Sequence, residues 1–93
     1  MDNSTHTLEK TVSIVNELGL HARAAAKLAA VAGRASGKVW LISNGQKVDA
    51  SSVIDILTLD CSRGKTVSLR VESQADINIL NDLEALVNNG FGE

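Results

Sequence analysis

The stretch Gly-Leu-His-Ala-Arg-Ala-Ala-Ala, residues 19–26, marks where the chain turns sharply and starts a helix. Gly19 permits an abrupt backbone turn, and the alanine-rich run that follows favours a helix. His21 is therefore predicted to stand at a helix N-terminus. Unpaired backbone N–H groups and the positive end of the helix dipole favour an anion such as phosphate at that position.

His21 also has the chemistry of a phosphoryl acceptor. A neutral imidazole nitrogen is a competent nucleophile near neutral pH, because the reference pKa of histidine is about 6.5. The backbone amides of Ala22 and Arg23, together with the Arg23 guanidinium, would stabilise the charge of a phosphoryl group there. The spacing alone favours a simpler alternative, which is a surface histidine beside a helix cap with no chemical role.

The same stretch resembles a known signature. Residues 19–23, followed by small residues, are similar to the active-site motif of the HPr family, the histidine-containing phosphocarrier proteins of the bacterial phosphotransferase system. The similarity continues through Asn44-Gly45, residues 52–54 and residues 89–91, and covers roughly residues 8 to 91.

This resemblance implies a fold and a reaction. The implied fold is an α+β open-faced sandwich, in which three helices cover one face of a four-stranded antiparallel sheet. His21 would receive a phosphoryl group from phosphorylated enzyme I, itself charged by phosphoenolpyruvate, and pass it to a protein of EIIA type. Family precedent places the phosphate on Nδ1, whereas the sequence alone does not choose the tautomer. The resemblance calls for no cofactor, and two histidines with one cysteine at unrelated spacings make no metal site.

The resemblance also implies a docking face around His21 and Arg23, formed by Ala26, Ile54 and Leu57. Two positions depart from the family pattern. Ala24 stands where proline commonly follows the arginine, and Asp55 puts an acid where the family often has a neutral or basic residue, which leaves the partner open. Several segments look closer to nitrogen-branch than to sugar-branch phosphocarriers: residues 18–19, 52–54, 59–60 and 89–91.

Ser52 allows two interpretations. It matches the serine that a dedicated kinase modifies in some HPr proteins, and a phosphate there would add about −1.5 to −2 charges at a helix start. Ser52 and Asp55 also have the S-x-x-D spacing of a helix cap, so Ser51 or Ser52 is expected to cap the second helix, and Ser52 could serve only that purpose.

The element order follows from periodicity and turn signals. Alternation predicts strands over residues 8–15, 38–43, 46–50 and 66–72, while helical spacing predicts helices over residues 22–32, 53–59 and from residue 77 to Gly90. Gly33 and Gly37 are expected stops for the first helix. Asn44-Gly45 is typical of a type I′ hairpin turn. Ser73 and Asp76 repeat the capping spacing before the last helix.

The second helix carries apolar residues on more than one side. Val53, Ile56 and Leu57 are predicted to fill the core, while Ile54 and a neighbour stay exposed as a partner surface. The alternative, in which all of them are buried under a loop, is equally compatible with the pattern.

Composition limits the class of protein. With 93 residues and no proline-rich linker, the chain is predicted to form one domain over residues 8–93, preceded by a flexible leader over residues 1–7. Trp40 and Phe91 are the two aromatic residues, so the core should be aliphatic. The single Cys61 excludes an internal disulfide and suits the reducing cytoplasm, and we interpret it as a structural thiol.

Charge and hydropathy exclude further classes. No apolar run reaches the length of about 20 residues that spans a bilayer, and residues 1–6 lack a signal-peptide pattern, so we expect a cytoplasmic monomer without membrane insertion. A small nucleic-acid-binding α/β domain would fit the element order, but a net charge of −2 provides no basic groove. A second rival is a regulatory binding module of the same fold that is not phosphorylated.

Overall fold

Four amphipathic strands form one antiparallel sheet in the computed structural model, which describes residues 8–93; the predicted leader over residues 1–7 lies outside the described residues. The strands are β1 (Glu9–Ser13), β2 (Val39–Ser43), β3 (Gln46–Asp49) and β4 (Thr66–Val71). The helices are α1 (Ala22–Ala32), α2 (Val53–Thr58) and α3 (Ile77–Asn88), with short 3-10 turns over Gln74–Asp76 and Gly90–Gly92.

The sheet order is β1-β4-β2-β3, and every neighbouring pair is antiparallel. Leu69 of β4 lies opposite Lys10 of β1 on one side and Leu41 of β2 on the other. Helix α3 packs on β1 and β4, and α1 contacts both α2 and α3. The three helices thus cover one face of the sheet, which confirms the predicted α+β sandwich.

Aliphatic side chains fill the space between the sheet and the helices, as the composition predicts. The buried positions of β2 and β4 belong to the same core cluster as the buried residues of α1 and α3. The largest fully buried aliphatic side chains are Ile14, Leu28, Leu41, Ile56, Val67, Leu69, Val71, Leu80, Leu83 and Val87. Of the two aromatic residues, Phe91 is fully buried, whereas Trp40 is half-buried and donates from its indole Nε1 to Glu72 at 2.8 Å.

The turn between β2 and β3 has the predicted geometry. Asn44 and Gly45 both adopt left-handed φ angles, 51° and 78°, as a type I′ turn requires. This turn sets the β2–β3 register, in which Leu41 lies opposite Val48.

Helix α2 corrects one prediction about the core. Ile56 is fully buried, but Leu57 is 40% exposed and Ile54 is 76% exposed. The prediction that Leu57 fills the core is therefore wrong, since this six-residue helix turns only Ile56 fully inward against its neighbours. Val53 is half-buried and packs against the edge of the core.

The start of α3 differs from the predicted capping pair. Ser73 Oγ accepts a hydrogen bond from the backbone N–H of Ala75 at 3.1 Å, and begins the 3-10 turn. Asp76 instead turns inward and is buried, where its two carboxylate oxygens accept the backbone N–H groups of Ser36 and Gly37, each at 2.8 Å. The residue therefore ties the start of α3 to the connection between α1 and β2.

Removing the two hydrogen bonds of Asp76 should lower the stability of the protein measurably. We expect Asp76→Ala to lower the free energy of unfolding by about 2 to 3 kcal/mol, because a buried carboxylate and its two hydrogen bonds to backbone N–H groups are lost. Urea denaturation followed by circular dichroism measures the change. Asp82→Ala is the matched control, since it removes an exposed carboxylate whose ion pair with Arg34 spans 2.8 Å and should contribute less than about 1 kcal/mol. Equal losses in the two variants would contradict the structural role given to Asp76.

The end of α1 confirms Gly33 as the helix stop, although not in the left-handed form that helix-ending glycines often take. Gly33 follows the last residue of the helix, as predicted, but its φ of −66° is right-handed. Its N–H donates to the carbonyl of Ala29 at 2.8 Å, so the last turn simply continues before the chain leaves the helix. The glycine therefore does not act as a left-handed stop here.

Candidate functional site

His21 is the N-cap of α1. Its backbone is extended, with φ −73° and ψ 177°, and its carbonyl accepts the N–H of Ala25 at 2.8 Å. Within residues 8–93, no side chain caps this helix end. The N–H groups of Ala22, Arg23 and Ala24 occupy the first turn, where an α-helix provides no backbone acceptor. The imidazole therefore lies beside a set of donors suited to an anion.

A tight turn before His21 fixes its place. Gly19 has a left-handed φ of 67°, and its N–H donates to the carbonyl of Asn16 at 3.1 Å. The next residue, Leu20, is buried and donates its N–H to the carbonyl of Cys61 at 2.8 Å. These contacts anchor the turn to the segment between α2 and β4, so the start of α1 has a fixed position relative to the sheet.

A second turn reaches the site from the other end of the fold. Gly90, Phe91 and Gly92 have consecutive left-handed φ angles of 62°, 59° and 76°. Phe91 is buried in the core, and its carbonyl accepts a hydrogen bond from Lys27 Nζ of α1 at 2.7 Å. This turn brings Glu93 next to His21.

The Glu93 carboxylate links two residues of the site. Its Oε2 contacts His21 Nε2, and its Oε1 accepts a hydrogen bond from Asn16 Nδ2 at 3.1 Å. Asn16 is itself buried, and the same Nδ2 donates to the carbonyl of Gly19 at 2.7 Å. A chain of hydrogen bonds thus runs from the turn through the carboxylate to the imidazole.

These contacts keep the carboxylate charged. The hydrogen bond from Asn16 lowers the pKa of Glu93 below its ordinary value, and the hydrogen bond and charge of His21 and the charge of Lys27 act in the same direction. Glu93 is therefore ionised at neutral pH and can only accept hydrogen bonds.

A shallow hollow surrounds this group. It is lined by Leu18, His21, Ala22, Arg23, Lys27, Gly92 and Glu93. Arg23 and Lys27 place two cationic side chains at its margin. The ion pairs formed within residues 8–93 do not involve Arg23, so its guanidinium is available to an anion. The hollow combines a nucleophilic ring, unpaired helix amides and positive charge.

The predicted residues do not all lie in this hollow. His21, Ala22 and Arg23 line it together. Ala26, Ile54 and Leu57 are exposed on α1 and α2 but do not line it. Ser52 is the N-cap of α2, and its Oγ accepts the N–H of Asp55 at 3.2 Å, so its predicted capping role is confirmed.

Three residues of the site are not indicated by the sequence pattern: Asn16, Lys27 and Glu93. The signal for them was weak. Asn16 lies between the predicted first strand and Gly19 and has no chemical signal of its own, and Gly90 is predicted only to end the last helix. A phenylalanine between two glycines, at positions 90–92, could have indicated a turn that returns to the core.

Two further observations concern the described part of the chain. Residues 8–93 contain no cluster of three or more histidine, cysteine, aspartate or glutamate side chains arranged to hold a metal ion. Of the helices formed there, none combines the length and apolar character needed to cross a membrane.

Comparisons with known proteins identify the family to which the chain is similar. Residues 8–89 match the family described as "PTS HPr component phosphorylation site". The chain is 40% identical over 86 residues to the phosphocarrier protein HPr of Cupriavidus necator, covering 92% of this chain and 97% of that protein. It is also 40% identical over 86 residues to the phosphocarrier protein NPr of Shewanella violacea, covering 92% and 94%. The crystal structure of HPr-C-His from Thermoanaerobacter tengcongensis superposes with a TM-score of 0.86 at 35% identity, covering 91% of this chain and 96% of that one.

Proposed function

The chain belongs to the HPr and NPr family of phosphocarrier proteins of the phosphotransferase system, and we propose that it accepts a phosphoryl group on His21 from phosphorylated enzyme I and passes it to an EIIA-type protein. One observation carries this proposal. His21 stands at the uncapped N-terminus of α1, in a hollow that it shares with Arg23. A nucleophile and the groups that stabilise a phosphate thus lie together.

The geometry supports a simple transfer. Phosphoryl transfer depends mainly on alignment and on charge stabilisation at the transferring oxygens. The first-turn amides of α1 and the Arg23 guanidinium would supply the donors, while the lone pair of His21 Nδ1 would attack phosphorus. The bond from phosphorus to the donor then breaks, and its electron pair stays with the donor. The reverse sequence delivers the group to the acceptor.

Phosphorylation followed by site mapping tests the reaction. We would incubate the purified protein with phosphoenolpyruvate and enzyme I from the same organism, and then measure intact mass and map an acid-labile phosphoryl group. One phosphoryl group on His21 is the expected result. No transfer from a demonstrably active cognate enzyme I would overturn the proposal and favour the alternative, a regulatory binding module of the same fold that is not phosphorylated.

We further propose that Ala26, Ile54 and Leu57 form the docking face for both partners. An exposed isoleucine and an exposed leucine on one short helix make an apolar surface of the kind that partner proteins cover. The partial exposure of Leu57, which contradicts its predicted place in the core, fits this role.

A charge placed on this face should weaken docking. We expect Ile54→Asp to raise the KM for enzyme I by about tenfold, since one buried interface side chain is worth on the order of 1 to 2 kcal/mol. Because Ile54 is 76% exposed, the unfolding midpoint should barely change. Initial rates of phosphorylation at varied enzyme I concentration measure the KM. Asn78→Asp adds the same charge at an exposed position of α3; an equal rise in that control would contradict the assignment of the face.

The downstream branch is a separate part of the proposal. The matches include an HPr and an NPr at the same identity, so the acceptor can belong to sugar uptake or to nitrogen-related regulation. Transfer from the phosphorylated protein to purified EIIA proteins of the two branches, compared at equal concentration, distinguishes them. The faster acceptor identifies the branch.

Phosphorylation of Ser52 by a serine kinase stays a prediction, in addition to the capping role of this residue. The serine is half-buried, and its Oγ is occupied by the N–H of Asp55. Phosphorylation would replace this cap with a more highly charged one next to an acidic residue. Incubating the wild type and Ser52→Ala with ATP and a lysate of the source organism, followed by mapping of acid-stable phosphate, tests for a serine kinase.

A further inference from the structure

We propose that Glu93 is a positioning residue for phosphoryl transfer: its carboxylate keeps the His21 proton on Nε2, so that Nδ1 presents its lone pair to the incoming phosphorus. This inference rests on the proposed function of His21 and assigns a role to a residue far from it in sequence. It follows from the contact between Glu93 Oε2 and His21 Nε2.

The carboxylate is held on both sides. Asn16 Nδ2 donates to Oε1 of Glu93 at 3.1 Å, while Oε2 contacts His21. Asn16 is buried and is itself fixed by its bond to the carbonyl of Gly19 at 2.7 Å. On the other side, the bond from Lys27 to the carbonyl of Phe91 at 2.7 Å fixes the turn that carries Glu93. The contact is thus supported by three segments of the chain, unlike a pair of free surface side chains.

The tautomer decides whether His21 can react. A neutral imidazole carries one N–H and one lone pair, on different nitrogens. Nδ1 is the ring nitrogen that faces away from Glu93. If it carried the proton, it would have no lone pair with which to attack phosphorus. An ionised carboxylate has no proton to donate, so its contact with Nε2 requires the proton to be there.

The Glu93 carboxylate also stabilises the ring after the bond between Nδ1 and phosphorus has formed. When Nδ1 bonds to phosphorus and the bond from phosphorus to the donor protein breaks, the ring keeps its proton on Nε2 and becomes positively charged. Glu93 then faces a cation and offsets that charge. When the phosphoryl group leaves for the acceptor, the electron pair of the N–P bond returns to Nδ1 and the neutral ring is restored, without any net proton release.

The charge state of Glu93 suits this role. The charged or titratable groups around it are His21, Lys27 and Arg23 in the hollow, and Glu17 and Arg63 in the adjoining depression that Glu93 also lines. The Asn16 hydrogen bond, followed by the contact with His21, lowers the pKa of Glu93. A carboxyl whose pKa is lowered on folding stabilises the fold above its unfolded pKa, and this contribution is lost as pH falls through the lowered folded value. The contact therefore persists throughout the neutral range and is lost only in acid.

Two variants, Glu93→Ala and Glu93→Gln, distinguish control of the tautomer from a purely structural role. Glu93→Ala removes the contact, which leaves the ring free to take either tautomer. In Glu93→Gln, the amide oxygen accepts from Asn16, as Oε1 does in the wild type, so the amide N–H group faces His21 Nε2. That N–H donates to a lone pair on Nε2 and moves the proton to Nδ1, the unreactive tautomer. Glu93→Gln, although it changes the shape least, should thus lower the rate of phosphoryl acceptance more than Glu93→Ala does. The same result is expected when an amide replaces the carboxylate beside a catalytic histidine.

Nitrogen-15 NMR of the unphosphorylated protein reads the tautomer directly. At about pH 8.5, where an ordinary histidine is neutral, we expect the proton of wild-type His21 on Nε2, a mixture in Glu93→Ala, and mainly Nδ1–H in Glu93→Gln. Glu84→Gln is the control, because it removes the same charge from a pair with Lys10 at 3.1 Å, and it should match the wild type. An unchanged tautomer in both Glu93 variants would overturn the inference.

Phosphoryl acceptance at saturating enzyme I gives the second measurement. We expect Glu93→Ala to lower the rate by about tenfold, the size of one hydrogen bond to a charged group, with little change in KM. Glu93→Gln should be slower still, and Glu84→Gln should equal the wild type. A Gln variant as fast as the wild type, or faster than the Ala variant, would overturn the inference. If wild-type protein accepts no phosphoryl group, the proposed function fails, while the NMR comparison still judges the role of Glu93.

Discussion

His21→Ala is expected to lose phosphoryl acceptance by a factor of more than about 10³ while keeping its fold, because no other group in the hollow combines a free lone pair with this position. The hydrogen bond that Ala25 N–H donates to the carbonyl of residue 21 survives the change, since the imidazole takes no part in it. The imidazole is partly exposed, and its side-chain contact within the described chain is the one with Glu93.

Intact-mass analysis after incubation with phosphoenolpyruvate and enzyme I measures this loss. Circular dichroism and a nitrogen–proton NMR spectrum establish that the variant is folded. The sequence contains two histidines, and His6→Ala is the matched control, expected to accept one phosphoryl group as the wild type does. Acceptance by the His21→Ala protein at the wild-type rate would remove this residue from the mechanism.

Gly19→Ala should cause the largest loss of stability, about 3 to 4 kcal/mol, corresponding to a fall in Tm of roughly 15 to 25 °C for a domain of this size. Two effects add. The φ of 67° is unfavourable for any residue with a Cβ, and that Cβ would lie 2.5 Å from the carbonyl oxygen of Cys61 and 2.9 Å from Ser62 Cα. Both contacts are with backbone, so the turn itself must move. The carbonyl that it would strike is the one that anchors Leu20.

Gly45→Ala separates these two effects. Its φ of 78° is also left-handed, but a Cβ there would meet nothing within 4 Å. We therefore expect a loss of only about 1 kcal/mol from backbone strain. Urea denaturation of both variants measures the difference. Equal losses at the two glycines would show that the close approach to Cys61 contributes nothing.

The elements of the fold were predictable because their signals are local. Alternation located β4 and helical spacing located α1, and Asn44-Gly45 predicted the hairpin turn with the correct φ signs. The placement of β4 between β1 and β2 was not predictable from periodicity, since strand pairing depends on contacts between distant segments. Leu57 was misplaced for a related reason: a short helix with apolar residues on several sides does not itself indicate which side its neighbours cover.

The candidate site likewise contains residues that are neighbours in the sequence and residues that only the fold brings together. The sequence could predict that His21, Ala22 and Arg23 lie together, because one short stretch contains the histidine and the helix start. Glu93 was missed because its partner Asn16 lies 77 positions away, and the two meet only through the left-handed turn at residues 90–92. Asp76 was assigned to local capping, whereas the structure pairs it with backbone 39 and 40 positions away.

The strand order has a consequence for how the protein folds as it is synthesised. Strand β1 pairs with β4 in the sheet. During synthesis β1 therefore leaves the ribosome before the other three strands but cannot pair until β4 has emerged. The hairpin of β2 and β3 can form early, but closure of the sheet requires residues 66–71, and such long-range pairing slows folding. His21 therefore acquires its final surroundings only after β4 has emerged, and we expect partly synthesised chains that lack β4 to be inactive as phosphoryl acceptors.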